Sequence, residues 1–206
     1  MAQQTVTPDA IGPSLIQANF VAAQENFTEL YARTANGVAP FGIALTELRK
    51  TAAYKDPLGD TPGASLLGLG DTVGLVVTGT QTNGGATATA NESASFVFVV
   101  PDTYVAGQPI SLRVRAKVSA ARTVSATVDA VVRRMTDAGV TADLVTTAAQ
   151  ALTTSYANYD FTITPTTIVA GDVLFVDVFL ATDDTGGNSN GTPTISALQV
   201  RATVAK

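Results

Sequence analysis

Residues 111–119 read SLRVRAKVS, and the reading of this stretch decides the fold. Leu112, Val114, Ala116 and Val118 fall on one side of a period of two, and Arg113, Arg115 and Lys117 fall on the other. Such alternation marks a half-buried strand, apolar towards a core and charged towards water. The next stretch, 123–135, repeats it, with Val124, Ala126, Val128, Ala130 and Val132 facing in and Ser125, Thr127 and Asp129 facing out. Leu174, Val176, Val178 and Leu180 form one side of a further strand. Leu198, Val200, Ala202 and Val204, opposed by Gln199, Arg201 and Thr203, form another near the C-terminus. Residues 95–100, SFVFVV, are apolar on both sides after the serine and predict a buried central strand.

Shorter candidates lie at 73–78, 86–90, 142–147 and 159–164, which brings the total to about nine strands. Turn signals separate them at 83–85 (NGG), 137–139 (DAG) and 185–191. Many short alternating strands without intervening helices mean an antiparallel sandwich or barrel. The strand number over 71–206 fits a jelly roll better than a seven-stranded immunoglobulin domain. Val105-Ala106-Gly107 and Val169-Ala170-Gly171 each precede a long alternating strand, an echo expected of corresponding turns in two halves of a sandwich.

Ahead of this β-region the period changes. In 17–30, QANFVAAQENFTEL, the spacing of Ile16, Phe20, Ala23, Phe27 and Leu30 follows the 4-3-4-3 rhythm of a helix with one apolar seam. Pro13 suits a helix start and Asn36-Gly37 a stop, so residues 1–36 are read as an arm and an anchoring or oligomerising helix. Burying Ile16, Phe20, Phe27 and Leu30 is worth roughly 1.5–3 kcal/mol each, so the seam calls for a partner. That partner is either further copies of the helix in a coiled coil or a surface on which one helix docks. Residues 37–70 are read as a linker: 43–54 as a short second helix with Leu45 and Leu48 on its apolar side, then a Gly-, Pro- and Asp-rich run along a surface.

Composition narrows the function classes. The 206 residues are 46% hydrophobic but only 14% charged, against about 25% in ordinary globular chains. A charge-poor surface suits a protein covered by neighbours or built from Thr, Ser, Asn and Gly. The net charge of −5 argues against direct nucleic-acid binding, which needs a basic face. The chain has neither Cys nor His, which excludes disulfides and thiolate metal sites and removes the commonest general base and metal ligand. No basic region followed by an apolar core opens the chain, and no run of 18 apolar residues occurs, so neither a secretory signal nor a membrane span is expected.

Candidate sites are few. No serine sits in a G-x-S-x-G elbow, and Asp183-Asp184 are adjacent carboxylates with nothing to separate their acidities, so no enzyme and no cofactor are expected. The oxygen-rich run 183–191 could hold calcium but lacks the spacing of an EF-hand loop and reads better as a hairpin tip. Tyr104, Tyr156 and Tyr159 are the candidate platforms for a carbohydrate, against a plain reading as tyrosines packed at strand ends. Arg113, Arg115 and Lys117, with Arg122, Arg133 and Arg134 on the following strand, would share one sheet face if the two strands pair. Such a face could meet an acidic neighbouring subunit or remain solvated.

A resemblance adds to this. Asn19-Phe20 and Asn26-Phe27-Thr28-Glu29-Leu30-Tyr31 are similar to the N-x-N-F-x-E-L-Y helix that opens tail-fibre and head-associated proteins of tailed phages. The run 95–114, from SFVFVVP through DTYVAG to ISLRV, with Thr127-Val128-Asp129 and residues 159–163, YDFTI, resembles phage head-decoration and head-fibre jelly rolls. The resemblance implies a homotrimeric, non-enzymatic virion protein that decorates, cements or projects from the capsid, with capsid or tail proteins as partners. The alternative it allows is a carbohydrate-binding module of a tail appendage, recognising a glycan on the host surface.

Overall fold

A computed structural model describes residues 36–51, 53–59, 67–70, 76–79, 88–119, 124–184 and 191–205. The compact unit that these build is Val38–Val204. The expected helix with Ile16, Phe20, Ala23, Phe27 and Leu30 lies outside the described residues.

The strands, in chain order, are β1 (Gly37–Ile43), β2 (Arg49–Lys50), β3 (Ala53–Pro57), β4 (Gly68–Gly70), β5 (Val76–Thr78), β6 (Ala88–Val99) and β7 (Ile110–Val118). They continue as β8 (Val124–Thr136), β9 (Gly139–Val140), β10 (Gln150–Ala151), β11 (Ala157–Ile163), β12 (Val173–Asp184) and β13 (Pro193–Val204). They form two antiparallel sheets. The front sheet runs β11-β7-β13-β5-β4, with β1 also on β13; the back sheet runs β10-β8-β12-β6-β2-β3, with β9 on β8. From β6 on, the long strands alternate between the sheets, back, front, back, front, back, front, which is the jelly-roll manner of winding a β-sandwich.

The alternation read from the sequence explains this packing. Ile110, Leu112, Val114, Ala116 and Val118 of β7 point into the space between the sheets, as do Tyr159, Phe161 and Ile163 of β11. From the back sheet come Phe96 and Phe98, the β8 residues Val128, Ala130 and Val132, and the β12 residues Leu174, Val176, Val178 and Leu180. Inner faces of this kind interdigitate into a layer about 10 Å thick. In β13 the register slips between Ile195 and Ala197, a bulge that lets Ile195 and Leu198 both face the core although they are three residues apart.

Two expectations are corrected. Residues 37–59 are not a helix-bearing linker along a surface. β1 joins the front sheet and β2 the back sheet, and a single 3₁₀ turn, Leu45–Glu47, carries the chain between them. Leu45 and Leu48 suit one side of a helix by spacing, but here they fill the core at the crossing, only 6% and 1% exposed. Tertiary burial overrides local helical pattern. The run 95–100 is central in its sheet, flanked by β12 and β2, but it is not buried on both sides throughout: Phe96 and Phe98 face the core, and on the other side Ser95 is covered while Val97 and Val99 are exposed.

Two turns bear out the echo. Gly107 precedes β7 with φ +75°, and Gly171 precedes β12 with φ +83°. Gln108 N–H donates to Val105 O and Asp172 N–H to Val169 O, so each Val-Ala-Gly closes a comparable turn, one per sheet. The left-handed backbone there is one that glycine adopts without strain.

Candidate functional site

The solvent side of the front sheet is laid out by the register of three strands. Pairing of β11 with β7 and of β7 with β13 sets Asn158, Arg115 and Ala197 in one row and Asp160, Arg113 and Gln199 in the next. Thr162, Ser111 and Arg201 form the row beyond. At the other end Lys117 faces Thr194, and Tyr156 immediately precedes β11. From Ser111 to Lys117 the face is roughly 20 Å long at the usual rise per residue.

Arg113, Arg115 and Lys117 are each held by a neighbour. The Arg113 guanidinium grips Asp160 with two bonds, Nε to Oδ1 at 2.7 Å and Nη2 to Oδ2 at 2.6 Å. That hydrogen bonding holds Asp160 below the ordinary carboxylate range against the opposing effect of burial, helped by the charges of Arg113 and Arg201. It also raises Arg113. Arg115 and Lys117 instead lean over the Tyr156 ring, with Cζ 5.3 Å and Nζ 4.6 Å from its centre. Cation–π contacts of this sort, worth about 0.5–1 kcal/mol at exposed sites, keep the two cations beside the ring.

Between these groups the surface dips. Arg113, Arg115, Asn158, Ala197 and Gln199 line a depression of about 270 Å³. The short Ala197 lies beside the bulge, and the longer side chains of Arg113, Arg115 and Gln199 stand around it. Ser196 within the bulge sits with its hydroxyl 3.3 Å from Arg115 O. The depression therefore offers guanidinium and amide donors and amide acceptors, flanked by one aromatic ring. A polyhydroxylated ligand asks for such a set. Asp160 is the only acidic residue in β7, β11 and β13, so this face has no pair of carboxylates to divide acid and base roles.

The basic residues singled out from the sequence do not share a face. β7 and β8 belong to different sheets, so Arg113, Arg115 and Lys117 lie at the front while Arg133 lies at the back. Arg133 Nη1 meets Asp177 Oδ2 at 3.0 Å, and Ser95 Oγ donates to Asp177 Oδ1 at 2.5 Å. Arg134 meets Asp172 at 3.4 Å and donates to Thr167 O. Arg122 lies outside the described residues. The strand-to-strand step in a sandwich crosses between sheets, which pairing of sequence neighbours does not anticipate.

Of the three tyrosines, Tyr104 and Tyr159 are buried at 5% and 6% exposure. Tyr104 donates to Gln108 O and Tyr159 accepts from Thr153 N–H, as in the plain reading of strand-end packing. Tyr156 alone belongs to the front face. The run 183–191 falls mostly outside the described residues, and among the described residues no three acidic side chains gather as a metal site. Nor is any helix among them long and apolar enough to cross a membrane. The sequence singles out neither Asn158 nor Gln199 as a site residue: Gln199 is an ordinary outward residue there, Asn158 lies just ahead of the expected strand 159–164, and only the register sets them beside Arg113 and Arg115.

Fold and face together define a two-sheet β-sandwich with a polar, cationic depression on one sheet. No protein-family model and no curated protein matches the chain. Among solved structures it is similar to the CBM22-1 xylan-binding domain from Paenibacillus barcinonensis Xyn10C, with 14% identity, 84% of this chain and 99% of that one covered, and a TM-score of 0.44. It is similar to the xylan-binding module CBM15, with 17% identity, 81% and 97% covered, and a TM-score of 0.44. A third is the enzymatically active domain of bacteriophage CBA120 tailspike protein 4, with 12% identity and a TM-score of 0.33; 82% of this chain covers 19% of that one. These superpositions are loose.

Proposed function

We propose that this chain is a carbohydrate-binding β-sandwich, a recognition module of a phage tail fibre or appendage that takes a host-surface glycan on its front sheet. The observation that carries the reading is the depression itself, where Arg113, Arg115, Asn158 and Gln199 converge around Ala197 with Tyr156 alongside. Sugars present hydroxyl pairs that planar guanidinium and amide groups bind two at a time. The phage setting, and with it a place in the virion, comes from the resemblance of 19–31 and 95–114 to virion proteins. The role is binding, not catalysis, since the face offers one carboxylate and that one is engaged by Arg113.

A glycan array probed with the full chain tests this. Saturable binding to a defined sugar class, weakened at least about tenfold by Asn158→Ala with Gln199→Ala, is expected, as about 1.4 kcal/mol of lost hydrogen bonding gives that factor. No saturable binding to any glycan would overturn the reading.

A second reading has its own support. Val97, Val99 and Met135 are exposed at 38%, 58% and 47%, the valines at successive outward positions of β6, and the seam at 16–30 also calls for a partner. These favour a homo-oligomer, with the homotrimer implied by the resemblance, that decorates or cements a capsid. Binding of the chain to purified capsids, with a trimer mass by light scattering, is the expected result for that reading, and a monomer that ignores capsids would remove it.

A further inference from the structure

The front face contains a repeated arrangement with one member missing. In one row Arg113 lies opposite Asp160 and is bound to it by two short hydrogen bonds. In the adjacent row, two residues along the same strands, Arg115 lies opposite Asn158. The second arginine thus has the same strand, the same outward direction and the same neighbour across β11, but an amide where the first has a carboxylate. On its other side stands Ala197, a methyl group where Arg113 faces Gln199, and that is where the depression lies. The ion pairs among the described residues are Arg113–Asp160, Arg133–Asp177 and Arg134–Asp172, so neither Arg115 nor Lys117 is neutralised by one.

The charge of the face is equally one-sided. β7, β11 and β13 carry Arg113, Arg115, Lys117 and Arg201 against Asp160 alone, in a chain whose net charge is −5. Cations gathered on one face of an acidic protein, and held there over Tyr156 instead of being paired, draw an anionic ligand. The planar guanidinium further selects among anions, because its fork matches the two oxygens of a carboxylate.

Resting on the glycan reading above, we propose that the ligand is an acidic saccharide whose carboxylate sits at Arg115, beside Asn158 and over Ala197. There the carboxylate completes for Arg115 the pair that Asp160 makes for Arg113. The Asn158 amide donates to the same group, and Lys117, one row further on, adds attraction that salt weakens.

The test uses the full chain on an array of uronate- and sialate-bearing oligosaccharides printed beside their carboxyl-reduced counterparts and beside sulfated dextran. The expected result is binding of carboxylate-bearing sugars at least about tenfold tighter than of the reduced ones, a difference of about 1.4 kcal/mol, and weaker at high salt. Two exposed-face variants locate the contact. Arg115→Gln removes the guanidinium, and Asn158→Asp supplies the missing carboxylate from the protein itself. Both should abolish the preference for acidic over reduced sugars while leaving the thermal unfolding transition in place.

Equal or tighter binding of the reduced sugars would overturn this inference and leave the glycan reading standing. Tighter binding of sulfated dextran would overturn the carboxylate assignment. A preference that survives Asn158→Asp would overturn the placement at Arg115. Silence across the whole array, neutral glycans included, would overturn the glycan reading itself.

Discussion

Arg133→Met is the perturbation whose cost the structure fixes best. Arg133 and Asp177 lie on the solvent side of the back sheet, yet their exposures differ sharply: the arginine side chain is 35% exposed and the aspartate 5%. Asp177 takes one bond from Arg133 and one from Ser95, whose hydroxyl also lies 2.9 Å from Thr51 Oγ1. Removing the arginine leaves a covered carboxylate with only a hydroxyl to satisfy it, and breaking such a pair from one side costs about 3–5 kcal/mol. Removing the aspartate instead leaves a guanidinium that water still reaches and a Ser95 hydroxyl that keeps Thr51 as a partner, so Asp177→Val should cost less, about 1.5–3 kcal/mol for the charge-assisted bond to Arg133. At about 2–4 °C per kcal/mol for a unit of this size, Arg133→Met lowers the melting temperature by roughly 6–20 °C. Chemical denaturation with unchanged slope provides the free energies. The double variant Arg133→Met/Asp177→Val should recover most of the loss, since apolar replacements of both partners are often neutral. Equal losses for the two single variants, or a double variant as poor as Arg133→Met, would refute the reasoning that the buried, unpaired carboxylate is what costs.

Phe161 is fully buried, so Phe161→Ala should lose about 3–5 kcal/mol in denaturant unfolding without altering glycan binding per folded molecule. The Asp160 carboxyl is held low by the Arg113 hydrogen bond, so its contribution is present above the unfolded carboxylate value near pH 4 and is lost as the pH falls through the lower folded value. Because Asp160 is 44% exposed, the stability gap to Asp160→Asn should be only about 0.2–1 kcal/mol at neutral pH, and it should close on acidification in pH-resolved thermal melts. A Cβ at Gly107 meets nothing within 4 Å, so Gly107→Ala tests the backbone alone and should cost about 1–2 kcal/mol by denaturation.

The fold was legible where a strand has one wet side. The alternation in 111–119 identified β7 and both of its faces, because a period of two is set by a half-buried strand and by nothing larger. In β13 the outward set Gln199 and Arg201 was legible in the same way, but the bulge at Ile195 to Ala197 was not: PTISA carries no bulge signal, and the slip answers to β7 and β5 on either side. Residues 43–54 depart from the helix their spacing predicts for a related reason. Leu45 and Leu48 are three apart, a helical spacing, and only the two sheets they pass between make that spacing a core crossing. The site divides similarly. Arg113, Arg115 and Lys117 are legible as a basic row, whereas the separation of Arg133 from them is not, because the step from β7 to β8 changes sheets, which local pattern does not encode. Asn158 and Gln199 carry meaning only through register, a relation between distant segments.

That dependence on register bears on how such a face changes. Along β7 the inward residues Leu112, Val114 and Ala116 are fully buried, while Arg113, Arg115 and Lys117 between them reach solvent. A substitution on the inner side is felt as lost packing. On the outer side it alters which groups stand in a row and costs stability little. On the proposed glycan reading, ligand choice on the front sheet therefore shifts one row at a time. Exchanging Asn158 for Asp, or Ala197 for a long side chain, would fill the Arg115 row without touching the core beneath it. The contrast between the Asp160 row and the Asn158 row is of this kind: the same strands, an arginine in each, and one acidic side chain deciding whether the guanidinium is closed by an ion pair within the protein.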